Sequence, residues 1–153
     1  MRKGLVTICF FLLAAGSASA SSHCTFRVHV STNANDGEVF AQEFRSLSGK
    51  KVFIERSAWL SEHDVASFYP YRAADGSYGA LIQLEDHGRA ILDSLSMERR
   101  GSTLFIFVDG RPLTEMLVDR RVADGKIYLP SGLTQADIKL MTKDWKITGH
   151  GKK

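Results

Sequence analysis

The chain has 153 residues and a formal net charge of +3, but Arg2 and Lys3 lie in its first twenty positions, where there is no acidic residue. The remaining 133 residues carry eighteen basic against seventeen acidic side chains, a net of +1. The basic residues cluster only as pairs such as Arg99-Arg100, Arg120-Arg121 and Lys152-Lys153. A phosphate backbone needs a basic stripe, so nucleic acid is not an expected partner.

Residues 1–20 read as a cleaved signal peptide: a basic start, an apolar run over 4–16 broken only by Thr7, and the small-x-small end Ala18-Ser19-Ala20. A run of about a dozen residues falls short of the roughly 20 that span a bilayer, so no stable membrane span is expected after cleavage, and the chain is expected to be periplasmic or secreted. An uncleaved anchor is the rival. Cys9 would leave with the signal and Cys24 would stand alone, which excludes a disulfide framework within the chain. Cys24 reads as an incidental thiol near a frayed or edge terminus. His23 stands directly before it, where lipoprotein signals usually place a small residue.

Residues 21–147 are expected to form one α+β domain, followed by a polar tail at 148–153. Phe26, Val28 and Val30 alternate with Arg27 and His29, the pattern of a half-buried strand. The turn formers from Asn33 to Gly37 predict a hairpin into a strand over 38–45 with Val39, Phe40 and Phe44, and Ser48-Gly49 a second reversal into a strand over 51–56. Ser61-x-x-Asp64 has the form of a capping box, and Val65, Phe68 and Tyr69 recur at helical spacing, so a helix is expected from Ser61 to Pro70. A strand over 79–84 leads to a second helix, capped by Asp86, with Ala90, Ile91, Leu95 and Met97 on its inner side and Gly101 ending it.

Leu104 to Val108 is apolar throughout, as a central strand covered on both faces would be. Asp109-Gly110 turns the chain into a strand over 113–118, and Asp124-Gly125 predicts a type I′ hairpin into a strand over 126–129. Thr134-x-x-Asp137 caps a last helix with Ile138 and Met141 inward. The order βββαβαβββα makes no βαβ repeat, which predicts a mixed, largely antiparallel sheet with about three helices packed on one face.

No catalytic signature appears: there is no nucleophile elbow, H-E-x-x-H, C-x-x-C, P-loop or dinucleotide fingerprint. Nothing calls for a cofactor, and the five histidines show no zinc spacing. The remaining enzyme reading rests on His63, Asp64, Asp86 and His87 converging in three dimensions. Trp59, Phe68, Tyr69 and Tyr71 form the densest aromatic patch, and they are either core or anchors for a partner.

The segments "SEHDVASFYPYRAADGSYGALIQLEDHGRAILDSLS", "GSTLFIFVDGRP" and "VADGKIYLPSGLTQADIKLM" carry a further pattern. From about Val52 to Met141 the chain resembles the first large periplasmic domain, especially the head subdomain, of SecD, a component of the bacterial SecDF protein-export machinery. The matching features are Asp64-Val65, the strand Leu81 to Leu84, Gly88, Ser96, Gly101, the strand Leu104 to Val108 with Asp109-Gly110, Gly125, Gly132-Leu133-Thr134 and Ile138. The resemblance implies an extracytoplasmic, non-catalytic module that contacts a protein or polypeptide during or after export. The rivals are a secreted enzyme with an unrecognised site and an envelope inhibitor or scaffold protein with one tight partner.

Overall fold

The computed structural model describes residues 23–37 and 39–149, so the expected signal peptide and the last four residues of the tail lie outside the described residues. The strands are β1 (Phe26–Thr32), β2 (Ala41–Arg45), β3 (Lys51–Glu55), β4 (Leu60–Ser61), β5 (Val65–Arg72), β6 (Tyr78–Leu84), β7 (Thr103–Val108), β8 (Arg111–Leu117), β9 (Lys126–Leu133) and β10 (Lys146–Ile147). The helices are α1 (Asp86–Glu98) and α2 (Gln135–Asp144). Among the described residues the class is α+β, with two sheets where one was expected and two α-helices where three were.

One sheet runs β2-β3-β1-β7-β8, with the short β4 also paired to β1; the other runs β10-β5-β6-β9. The expected hairpin of the first two strands does not form: β2 begins at Ala41, pairs with β3 and leaves Val39 and Phe40 exposed, because β3 takes the place beside β1. Every pairing is antiparallel except β10 with β5. The inner faces meet in one core. Phe26, Val28, Val30, Leu104, Ile106 and Val108 line one side, and Phe68, Ala80, Ile82, Ile127 and Leu129 the other. Leu92 and Leu95 of α1, Met141 of α2 and Trp145 complete it. None of the helices among the described residues is long and apolar enough to cross a membrane.

The segment expected as the first helix is one 3-10 turn, Glu62–Asp64, running straight into β5. The capping box is real: the Ser61 hydroxyl and backbone meet Asp64 as expected. Val65, Phe68, Tyr69, Pro70 and Tyr71 after it are β-branched, aromatic or Pro, which disfavour a helix. A β-bulge between Val65 and Ser67 inserts one residue, so Val65 and Phe68 both face the core three apart and imitate helical spacing. Pro70 is tolerated because β10 pairs only with Ser67 and Phe68, leaving that side of Pro70 without a ladder partner.

The type I′ signal also falls elsewhere. Asp109 and Gly110 have φ of 49° and 73° and close the β7–β8 hairpin. Gly125 has positive φ as well, but Asp124 is not among the positive-φ residues, and β8 and β9 belong to different sheets. The chain between them is strapped across α1 instead. Arg121 grips the Asp93 carboxylate at 2.5 and 2.7 Å, and Val122 N donates to the buried Ser96 hydroxyl at 2.9 Å.

In α1, Leu95 is buried and Ile91 half-buried, whereas Ala90 and Met97 are exposed and Leu92 and Ser96 take the inner positions. The N-cap is Glu85, one residue before the expected Asp86. In α2, the Thr134–Asp137 capping box and the inward Met141 stand as predicted. At the head of the tail, Thr148 N donates to Phe68 O at 2.8 Å.

Candidate functional site

Cys24 is 1% exposed, not frayed. Burial, with the carboxylates of Asp109, Asp137 and Asp144, pushes its thiol up to about 12, so the reactive thiolate is suppressed at neutral pH. Its backbone N–H is fixed by Asp144 at 2.6 Å.

The outer face of the four-stranded sheet offers a different environment. Strand alternation places Phe68, Ile82 and Ile127 inward and their chain neighbours outward. Registered across the sheet, Tyr69, Leu81 and Tyr128 form one outward row, with Tyr71 and Gly79 beside it. On the other side of that row lie Lys146, Ser67, Gln83 and Lys126. Tyr69 is 49% and Tyr128 53% exposed.

The rings are held in place. Tyr71 stacks on Tyr128 with centroids 5.8 Å apart and planes 9° from parallel, and its hydroxyl donates to Leu129 O at 2.7 Å. Burial and the Tyr128 hydroxyl raise the Tyr71 pKa, so it stays a neutral donor. The Tyr71 ring lies directly over Gly79: a Cβ there would sit 2.3 Å from Tyr71 Cζ and 2.6 Å from Leu129 O. Such a face offers broad, preordered aromatic area with hydroxyl tips.

The four aromatics singled out in the sequence separate. Tyr69 and Tyr71 share this face, while Phe68 is fully buried beside Trp145, with centroids 6.2 Å apart. Trp59 lines a separate groove of about 660 Å³ between the 55–59 segment and α1, with Ala58, Ala90 and Ile91. Its Nε1 donates to Glu55 Oε2 at 2.6 Å, and Glu55 also pairs with Arg99.

Of the four polar residues of the enzyme reading, two meet. His87 Nδ1 lies 3.0 Å from Asp64 Oδ1, while Asp64 Oδ2 accepts from Ser61 N and Oγ at 2.8 and 3.2 Å. Burial by itself raises the Asp64 pKa, but the hydrogen bonds from Ser61 and His87 outweigh it and hold the carboxyl below its ordinary range. Asp86 is turned to Arg89 at 3.0 Å and His63 toward Glu62 at 3.8 Å, so neither joins the pair. The pair clasps the start of α1 to the 62–64 turn. Gly88 allows that approach, since a Cβ there would come within 2.7 Å of Asp64 Cβ. Among the described residues no group of three His, Cys, Asp or Glu is placed to hold a metal.

Tyr128 was missing from the sequence patch although its strand was expected. The alternation Lys126-Ile127-Tyr128-Leu129 already put it opposite to Ile127, but which strand stood beside it was not written there.

The site defines a class: an α+β domain of two sheets presenting a fixed aromatic face. No protein-family model and no curated protein matches the chain in sequence. Its fold is similar to solved SecDF structures. One, described as a membrane component SecDF that enhances protein export, has a TM-score of 0.55 at 12% identity; the match covers 82% of this chain and 64% of that one. A second, SecDF in a super-membrane-facing form, has a TM-score of 0.55 at 13% identity, covering 82% of this chain and 19% of that one. The chain therefore spans less than two thirds of the length of the SecDF structures it matches.

Proposed function

We propose that this chain is an extracytoplasmic, non-catalytic binding domain that contacts polypeptide segments, in the setting of protein export, through the outer face of its four-stranded sheet. The observation that carries this reading is the row of Tyr69, Leu81 and Tyr128 with Tyr71 stacked alongside, half exposed at its two ends. Stacked phenols lose little conformational freedom on contact and accept apolar and polar side chains alike, which suits weak contact with many sequences. The likeness to SecDF supports the export setting, and the pattern of residues 1–20 supports delivery outside the cytoplasm.

The test is binding of a reduced, carboxymethylated, permanently unfolded polypeptide to the wild type and to the Tyr69→Ser/Tyr128→Ser double variant. The expected result is loss of binding by about tenfold or more, at two aromatic anchors of roughly 1 kcal/mol each, with melting temperature nearly unchanged. Equal binding by the two proteins would remove the reading.

A further inference from the structure

We infer that the segment taken by this face is acidic, an extended polypeptide whose carboxylates meet Lys126 and Lys146; this rests on the tyrosine face being the contact surface. The outward positions of the four strands include no aspartate or glutamate, and their charged residues are these two lysines. Both are exposed, and among the described residues neither is recorded in an ion pair. The nearest carboxylates in the chain are engaged elsewhere. Asp124 accepts from the backbone N–H of Lys126 at 3.1 Å, and Asp144 accepts from Cys24 N at 2.6 Å and pairs with His23 at 3.0 Å.

The lysines also stand at a defined interval. They occupy the two edge strands, in one cross-strand row that runs through Ser67 and Gln83. Three inter-strand steps separate their backbones by about 14 Å. An extended peptide lying across the strands rises about 3.4 Å per residue, so side chains at i and i+4 are about 14 Å apart and point to the same side. A segment with carboxylates at i and i+4 and an aromatic residue at i+2 would set its charges over the lysines and its ring beside the tyrosine row. Charge reaches both lysines from one peptide only in this crosswise direction, so the face selects for an acidic pair in place of a single charge.

The experiment uses the protein expressed from its full sequence and three nine-residue peptides with a central Phe. They carry Asp, Asn or Lys two residues to either side, and binding is read by fluorescence anisotropy at low and high salt. The Asp peptide should bind about fivefold or more tighter than the Asn peptide at low salt, an advantage that fades at high salt. The Lys126→Glu/Lys146→Glu variant should lose that advantage and prefer the Lys peptide. Equal affinity for Asp and Asn peptides would overturn the inference; if that common binding still falls in the Tyr69→Ser/Tyr128→Ser variant, the polypeptide reading stands. If no peptide shows binding that depends on the tyrosines, both fail. Lysine-dependent binding to phosphatidylglycerol vesicles, with none to the Asp peptide, would overturn the inference in favour of a lipid surface.

Discussion

The outer faces of the two sheets are built from the same kind of residue and end in different states. On the six-stranded sheet, Phe105 and Phe107 point outward beside His29 and Arg27, yet Phe105 is only 3% exposed. The β2–β3 hairpin, joined to β1 through Ser31 and Thr32, folds over them. Phe44 meets Phe105 and Phe107 edge-on at 5.5 and 5.3 Å, and Glu115 accepts from Leu47 N at 2.5 Å. Half-buried there, and beside the Arg27 cation, His29 has its pKa lowered. On the four-stranded sheet the rings at the corresponding outward positions remain half exposed. Aromatic outer faces are thus core where the chain supplies its own cover and stay half exposed where it does not.

The sharpest way to break this contrast is Gly79→Ala. Its Cβ would meet both the Tyr71 ring and the Leu129 carbonyl, and the carbonyl belongs to a paired strand that cannot yield. Overpacking of this kind should destabilise by about 3 kcal/mol in urea unfolding and displace Tyr71 from its stack, seen as a change in near-UV circular dichroism. A variant as stable as wild type would contradict the close approach of ring and glycine.

Phe44→Ala uncovers the other face. A half-buried ring that touches two others should cost about 2 kcal/mol in the same measurement, and the newly exposed Phe105 and Phe107 should raise dye binding of the ANS type. Unchanged stability would mean that the hairpin does not serve as a cover.

A smaller effect, of about 1 kcal/mol, is expected at the junction between the sheets, where Arg111 of β8 pairs at 2.6 Å with Asp137, which completes the capping box of α2 with the N-cap Thr134. Burial alone raises the Asp137 pKa, but hydrogen bonds from Thr134 and Arg111 outweigh it and hold the carboxyl below its ordinary 3.8. A depressed folded pKa gives stability that is full above 3.8 and is lost as pH falls through the folded value below it. Melting temperature should therefore fall less steeply below pH 4 in Asp137→Asn than in wild type. Parallel curves would show that Asp137 is not the group that titrates.

Much of this was legible locally. The strand ending at Val108, the Asp109-Gly110 turn and both capping boxes each depend on a few consecutive residues whose backbone preferences are strong. The failures share one cause. At Val65 and Phe68 a single bulged residue turned a period of two into an apparent period near three. At Asp124-Gly125 a turn dipeptide lay between strands that pair with other partners. His87 and Asp64 are each legible in the sequence as candidate polar residues, but their 3.0 Å contact spans 23 positions.

The amino-acid sequence by itself determined the α+β class, most strand positions, the caps and the alternation that sends Tyr128 outward, because such features follow from sterics and hydrogen bonding within a few residues. Only the tertiary structure decided that the strands divide into two sheets, that Phe44 covers one outer face, and that Lys126 and Lys146 end in one row with the tyrosines beside them. Those outcomes depend on which distant strands pair. Pairing is settled by the burial of a shared core, a quantity that no short window of the chain contains.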